Sequence, residues 1–82
     1  MKIILYTKKG CSWCKGVLDL FHEKNVVFEE REVLSNPQYF DELTVKSGQS
    51  KTPTLDIDGE IIADSDREAV ALYLKEKKVA GF

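Results

Sequence analysis

Residues 3–6 are all bulky and apolar, with no polar position between them. A strand that is covered on both faces has this pattern, so we predict a central strand over residues 2–7. The next apolar residues recur at helical spacing and predict one buried helix face between Cys11 and Lys24. These face residues are Cys14, Val17, Leu18 and Phe21.

Residues 26–33 begin as an apolar run and become charged along their length. This favours a second strand at the edge of a sheet, where charges discourage pairing with another chain. A strand that follows a strand and a helix is expected to be parallel to the first, through a right-handed crossover. Asn36 and Pro37 then predict the start of a second helix, and Gly48 its end.

The third quarter of the chain has the alternation of a half-buried strand, with Leu55 and Ile57 on one face. Asp58-Gly59 is a strong signal for a two-residue hairpin turn, which predicts an antiparallel return strand over 60–63. Ser65, followed three residues later by Glu68, is a capping-box pattern that predicts a third helix with Ser65 as its N-cap.

The predicted order is β-α-β-α-β-β-α in a single domain of residues 1–82. Two parallel strands followed by an antiparallel hairpin form a mixed four-stranded sheet, with helices on both faces. We therefore predict an α/β fold.

The composition narrows the possible functions. A net charge of −2 without a basic stripe argues against a nucleic-acid binder. No apolar run is long enough to span a membrane, and the N-terminus has no signal-peptide pattern, so we expect a cytoplasmic monomer. Two cysteines are too few for a disulfide scaffold, and with a single His they cannot form a four-ligand zinc site within one chain.

Cys11 and Cys14 lie two positions apart, between the first strand and the first helix. This arrangement is typical of a redox motif. The helix N-terminus and the charges of Lys8 and Lys9 should lower the pKa of Cys11, whereas Cys14, facing the sheet, should remain a thiol. Cys11 is then the nucleophile and Cys14 the resolving cysteine. An inert buried pair, or half of an intermolecular metal site, is the alternative.

Pro53 permits two interpretations. In the first, it simply begins a strand, where a missing N–H breaks no ladder bond. Alternatively, Thr52–Pro53 is a cis peptide bond in a loop that turns the backbone of Thr52 toward the cysteines. In that position the backbone could pair with an extended, peptide-like substrate.

Two segments, 6–14 and 46–53, together resemble the glutaredoxin family of the thioredoxin fold, and the similarity extends over nearly the whole chain. The resemblance implies reduction of protein disulfides and of protein–glutathione mixed disulfides, with glutathione as electron donor and no tightly bound cofactor. It implies that Cys11 attacks and Cys14 resolves. It also implies glutathione contacts at Lys8, Trp13, Gln49, Thr52, Pro53, Ser65 and Asp66.

The chain departs from the family pattern at three places. Ser12 replaces the usual Pro, Trp13 replaces the usual Tyr, and Ala63-Asp64 replaces Gly-Gly before the last helix. The last change alters the expected approach of glutathione to the backbone. Residues 52–74 also resemble the N-terminal domain of glutathione S-transferases, where an acidic-Ser pair, here Asp64-Ser65, binds the γ-glutamyl group.

Two alternatives remain at the level of sequence. Thioredoxin reductase could replace glutathione as the reductant, as in glutaredoxin-like donors to ribonucleotide reductase. The Ser12 substitution also resembles glutaredoxins that hold a [2Fe–2S] cluster between two chains, with Cys11 of each chain and two glutathiones as ligands.

Overall fold

The computed structural model describes residues 1–63, 65–79 and 82. The element order is the predicted one. No helix within these residues is long and apolar enough to cross a membrane. The elements are β1 (Ile3–Thr7), α1 (Ser12–Glu23), β2 (Glu29–Glu32), α2 (Pro37–Ser47), β3 (Thr54–Ile57), β4 (Glu60–Ile62) and α3 (Arg67–Glu76).

The four strands form one mixed sheet in the order β2-β1-β3-β4. β1 runs parallel to β2 and antiparallel to β3, and β3 and β4 form a hairpin. All five residues of β1 are buried, which confirms the predicted central strand. Asp58 and Gly59 both have positive φ at the hairpin turn, as predicted.

β2 is the edge strand that the charge pattern predicted, but it is shorter than the predicted range 26–33. The backbone N–H of Val26 donates to the carbonyl of Phe21 at 2.9 Å, and Asn25 has a positive φ of 54°. The chain therefore uses these residues to close the end of α1. Val26 and Phe28 pack against the core as loop residues instead of pairing in the sheet.

The helices lie on both faces of the sheet, as predicted. α1 and α3 pack on one face, where their apolar residues meet those of β1 and β3. This core consists of Ile3, Leu5, Val17, Leu20, Phe21, Leu55, Ile57, Val70 and Leu74. α2 covers the other face with a smaller cluster of Ile4, Tyr6, Val33 and Leu43. Together the two layers fix the position of the β1–α1 turn.

Two helix starts illustrate one correct and one wrong prediction. Asn36 caps α2 by accepting from the Gln38 N–H, and Gly48 ends that helix at φ 70°, both as predicted. At α3 the prediction of Ser65 as N-cap is wrong, because Asp66 accepts from the Ala69 N–H at 2.8 Å. The Ser65 N–H donates to the Pro53 carbonyl, which holds Ser65 one residue before the N-cap. A carboxylate at the cap also interacts favourably with the helix dipole.

Candidate functional site

The Cys11 side chain is the N-cap of α1. Its sulfur accepts a hydrogen bond from the Cys14 N–H at 3.2 Å, and its backbone N–H donates to the Lys8 carbonyl at 3.1 Å. Gly10 precedes it with a φ of 80°, a left-handed conformation that glycine adopts without a side-chain clash. The strand therefore ends in a tight turn that places the sulfur at the helix N-terminus. Both cysteines are free thiols.

Thr52 lies directly beside this sulfur. The Cys11 thiol donates to the Thr52 carbonyl at 3.7 Å, and the Thr52 hydroxyl donates to the Cys11 sulfur at 3.5 Å. The Thr52–Pro53 peptide bond is cis, as the second interpretation of Pro53 predicted. The backbone of Thr52 faces the cysteine pair as expected. The contribution of its hydroxyl was missed, because no local pattern links residues 41 positions apart.

The pKa of Cys11 is lowered from its ordinary value. Desolvation raises it, but hydrogen bonds from Cys14, from the Thr52 side chain and from backbone N–H groups of the first helical turn outweigh that effect. The predicted direction is confirmed. The causes that lower the pKa are hydrogen bonds, and the charges of Lys8 and Lys9 are not among them.

Cys14 has the opposite environment. It is only 2% exposed, on the side of α1 that faces the sheet. Burial, followed by its hydrogen bond to Cys11, raises the pKa of the Cys14 thiol to about 11. Cys11 is thus the thiol that ionises first and attacks, while Cys14 is retained as a protonated partner one helical turn away.

Gln49 organises the loop that carries Thr52. Its amide nitrogen donates to the Ser47 hydroxyl at 2.9 Å and to the Thr54 hydroxyl at 3.2 Å, and its amide oxygen accepts from the Lys51 N–H. The side chain is therefore engaged within its own loop. Its predicted contact with glutathione stays a prediction.

A groove of about 480 Å³ lies between the first turns of α1 and α3. It brings together two predicted ligand residues from distant parts of the sequence, Trp13 and Asp66. Trp13 is 66% exposed and presents an aromatic surface. The groove is lined by Ser12, Trp13, Gly16, Asp66, Arg67 and Glu68.

Ser65 is fixed next to the Thr52–Pro53 loop, since its N–H donates to the Pro53 carbonyl at 2.9 Å. Its hydroxyl oxygen is buried and has no hydrogen-bond partner among the described residues. A buried unpaired hydroxyl is costly, so such a group is often explained by a ligand or a water. Asp64, its predicted companion, lies outside the described residues.

A second cavity, of about 430 Å³, is lined by both cysteines and shares Ser12 with the groove at Trp13. Lys8 lies in this cavity, away from the lining of the groove at Trp13. Glu30 and Glu32 of β2 also line it, and neither was singled out from the sequence. The sequence shows that Glu30 and Glu32 lie on the same face of the strand. It does not show the strand register that brings this face to the cavity lined by Cys14.

Among the described residues, no group of three or more His, Cys, Asp or Glu side chains is arranged to hold a metal ion. The predicted cluster-binding dimer would draw its ligands from two chains and two glutathiones. It therefore stays a prediction.

The glutaredoxin family model matches residues 3–62. Glutaredoxin 1 of Rickettsia felis is 40% identical over 78 residues, which cover 93% of this chain and 72% of that protein. An N-acetyl-S-hydroxy-L-cysteine reductase of Bacillus subtilis is 33% identical over 57 residues, covering 70% of this chain but only 61% of the relative. The crystal structure of the thioredoxin-like protein BC3987 superposes with a TM-score of 0.78 at 30% identity, covering 85% of this chain and 96% of that one.

Proposed function

This chain belongs to the glutaredoxin family of thiol–disulfide oxidoreductases, and we propose that glutathione is its reductant. Its substrates are then protein disulfides and protein–glutathione mixed disulfides. The observation that carries the proposal is the Cys11 sulfur, which caps a helix and contacts both the carbonyl and the hydroxyl of Thr52. The proposed nucleophile, Cys11, thus lies next to the Thr52 backbone, which could pair with an extended peptide.

The reaction begins when the Cys11 thiolate attacks one sulfur of the substrate disulfide. The substrate S–S bond breaks, one substrate thiolate leaves and takes up a proton, and a mixed disulfide with Cys11 remains. Cys14 then loses its proton and attacks the Cys11 sulfur, forming the Cys11–Cys14 disulfide and releasing the second thiolate. For a glutathionylated protein, a second glutathione can perform this step instead of Cys14.

Two molecules of glutathione restore the dithiol. The first opens the Cys11–Cys14 disulfide and leaves a glutathionyl group on Cys11. The second attacks that group, releases oxidised glutathione and regenerates the Cys11 thiolate. Electrons therefore pass from two glutathione thiols to one substrate disulfide, with Cys11 as the carrier.

Glutathione is a peptide with carboxylates at both ends, and the surroundings of Cys11 suit this chemistry. The Thr52 backbone lies beside the Cys11 sulfur, which supports pairing with the cysteinyl part of glutathione, and Ser12 lines the groove at Trp13 and Asp66. The first turn of α3 offers backbone N–H groups to an anion. The unpaired Ser65 hydroxyl supports a ligand at this position.

The test compares two reducing systems at equal protein concentration. One contains glutathione, glutathione reductase and NADPH, and the other contains thioredoxin reductase and NADPH. Turnover of a glutathionylated peptide by the first system, lost in Cys11→Ser and kept in Cys14→Ser, is the expected result. Activity retained in Cys11→Ser would contradict the mechanism, and turnover with thioredoxin reductase alone would contradict the choice of reductant.

The second candidate function keeps this chemistry but takes electrons from thioredoxin reductase. One observation favours it: the Gln49 amide, a predicted glutathione contact, is already engaged with Ser47 and Thr54. The structural relative at 30% identity is itself named thioredoxin-like. The two-reductase comparison separates the candidates.

We further propose that the protein works in a reducing compartment such as the cytoplasm. Its two cysteines are free thiols at the start of a helix, and a reducing environment returns such a pair to the dithiol form after each turnover.

A further inference from the structure

To resolve the mixed disulfide, Cys14 must lose its proton, and its buried environment disfavours this loss. Cys14 is buried against the sheet, and its pKa is raised to about 11. A thiol with this pKa is ionised in only about 1 molecule in 10,000 at pH 7. The thiolate is the attacking species, so a group that accepts this proton would directly accelerate the second half of the reaction.

The cavity beside the cysteine pair shows where the proton can go. It has a volume of about 430 Å³ and is lined by Cys14 itself. This is far more than the roughly 30 Å³ that one water occupies, so water can join the sulfur to other groups of the lining. The charged side chains that line it are Lys8 and Lys9 from the β1–α1 turn, Lys15 from α1, and Glu30 and Glu32 from β2.

Among these charged side chains, a carboxylate is the type that can accept a proton, and Glu32 is already engaged. It accepts from the N–H groups of Lys9, Leu34 and Ser35. Hydrogen bonds from Ser35 and these backbone groups lower the pKa of Glu32 to about 2. Glu32 therefore serves to join the two loops at this end of the sheet and is a poor base.

Glu30 is placed differently. It pairs with Leu5 in the parallel ladder, and its side chain contacts Thr7, which lines the same cavity as Cys14. The Thr7 hydroxyl donates to one carboxylate oxygen of Glu30 at 2.8 Å. Thr7 is only 2% exposed, so this contact fixes the direction of the carboxylate.

We propose that Glu30 accepts, through water in this cavity, the proton that Cys14 gives up as it attacks the mixed disulfide. The Cys14 sulfur forms its bond to the Cys11 sulfur, the bond between Cys11 and the substrate sulfur breaks, and the substrate leaves as a thiolate. The Cys14 proton passes to the Glu30 carboxylate and from there to solvent. This inference rests on the two-cysteine mechanism proposed above, and it makes Glu30 a positioning residue that acts through water.

The test follows the two steps separately with a chromogenic aromatic disulfide whose thiolate leaving group absorbs visible light. Attack by Cys11 releases one coloured thiolate, and attack by Cys14 releases the second. In stopped-flow experiments at pH 7, Glu30→Gln should leave the first phase unchanged and slow the second phase about tenfold. The difference between variant and wild type should shrink as the pH rises toward the pKa of Cys14.

A matched control is the adjacent Glu29→Gln, which removes the same charge from the same strand. Glu29 pairs with Arg31 and does not line the cavity, so both phases should keep their wild-type rates. Glu30→Asp, which retains a carboxylate, should restore much of the second phase. Melting temperatures of all variants show whether the fold is kept.

The sign of the effect decides between Glu30 as a proton acceptor and Glu30 as a charge alone. Removing a negative charge near Cys14 would ease its ionisation and accelerate the second phase. A second phase that is unchanged or faster in Glu30→Gln therefore overturns the proposal. A wild-type protein that releases only one coloured thiolate would instead overturn the two-cysteine mechanism itself, and the two failures are thus distinguishable.

Discussion

The N-termini of α1 and α3 are capped through the same hydrogen-bond pattern but by different chemical groups. In α1 the Cys11 sulfur accepts from the Cys14 N–H at 3.2 Å, and in α3 an Asp66 oxygen accepts from the Ala69 N–H at 2.8 Å. Both caps accept from the residue three positions later. At α1 the capping atom is also the reacting atom, whereas at α3 the capping carboxylate is a permanent anion.

Under the proposed function, one structural device would serve reaction at one helix and ligand recognition at the other. The α1 terminus stabilises a charge that appears and disappears during turnover, so its N–H groups favour the thiolate. The α3 terminus already satisfies one N–H group with Asp66, and Ser65 just before it has an unpaired hydroxyl. A ligand at α3 would thus meet both a fixed charge and an available polar group.

The largest effect is expected when the Cys11 sulfur that caps α1 is replaced by a hydroxyl oxygen. Cys11→Ser should reduce turnover by at least about a thousandfold, because an alcohol at neutral pH does not form the attacking anion. Serine is itself a favoured N-cap residue, so the free energy of unfolding should be kept within about 1 kcal/mol. Coupled assays and denaturant melts measure the two effects. A large loss of stability would show that the sulfur supports the helix in a way that a hydroxyl cannot.

A smaller effect is expected at the group that supports this cap from outside the helix. Thr52→Val removes a hydroxyl that donates to the Cys11 sulfur and helps to lower the pKa of Cys11. The pKa should therefore rise, the thiolate fraction at pH 7 should fall, and the rate of alkylation should drop several-fold. The pH profile of alkylation should move to higher pH. Thr52→Ser is the control, and an unshifted profile for Thr52→Val would contradict the assignment.

The two residues at the start of α3 should respond in opposite directions. Asp66→Ala removes the cap and should cost about 1 kcal/mol of unfolding free energy. Ser65→Ala removes a buried hydroxyl that has no hydrogen-bond partner in the part of the chain that the structure describes, so stability should stay constant or increase slightly. If the hydroxyl serves glutathione, the same variant raises KM for glutathione. Denaturant melts with glutathione titrations measure both, and a destabilised Ser65→Ala would imply an internal partner.

The smallest effect is expected where the two helices meet. Gly16 lies inside α1, and an added methyl group would stand 3.5 Å from the Arg67 Cβ of α3, an ordinary van der Waals distance. Gly16→Ala should therefore raise the free energy of unfolding by up to about 1 kcal/mol through helix propensity. Gly16 also lines the groove at Trp13, so weaker glutathione binding in this more stable variant would place the ligand in that groove.

The sequence was most informative where local interactions decide the structure. The apolar run at residues 3–6, the Asn36-Pro37 cap and the Asp58-Gly59 turn each depend on neighbouring residues, and all were predicted correctly. The redox pair could also be predicted, since a helix N-terminus is a local feature. The opposite directions of the Cys11 and Cys14 pKa shifts were predicted as well, although the Thr52 hydroxyl and the burial of Cys14 contribute to them from outside this helical turn.

The wrong or missing predictions depend on contacts between distant segments. The capping box at Ser65 fails because the Pro53 carbonyl binds the Ser65 N–H and moves the helix start to Asp66. The Thr52 hydroxyl reaches Cys11 across 41 residues. The place of Glu30 beside the cysteine pair depends on strand register, which an edge strand of four residues specifies only weakly.

The sulfur cap of α1 also couples the oxidation state of the protein to the stability of its first helix. As a thiolate, Cys11 accepts the Cys14 N–H as a charged partner, and in any disulfide the same atom is neutral and a weaker acceptor. Each hydrogen bond that favours the thiolate therefore stabilises the reduced form relative to the oxidised form. A thermodynamic cycle then requires the protein to be a stronger oxidant in proportion to how well this helix end is capped. The strength of one cap would thus help to set the direction in which electrons flow.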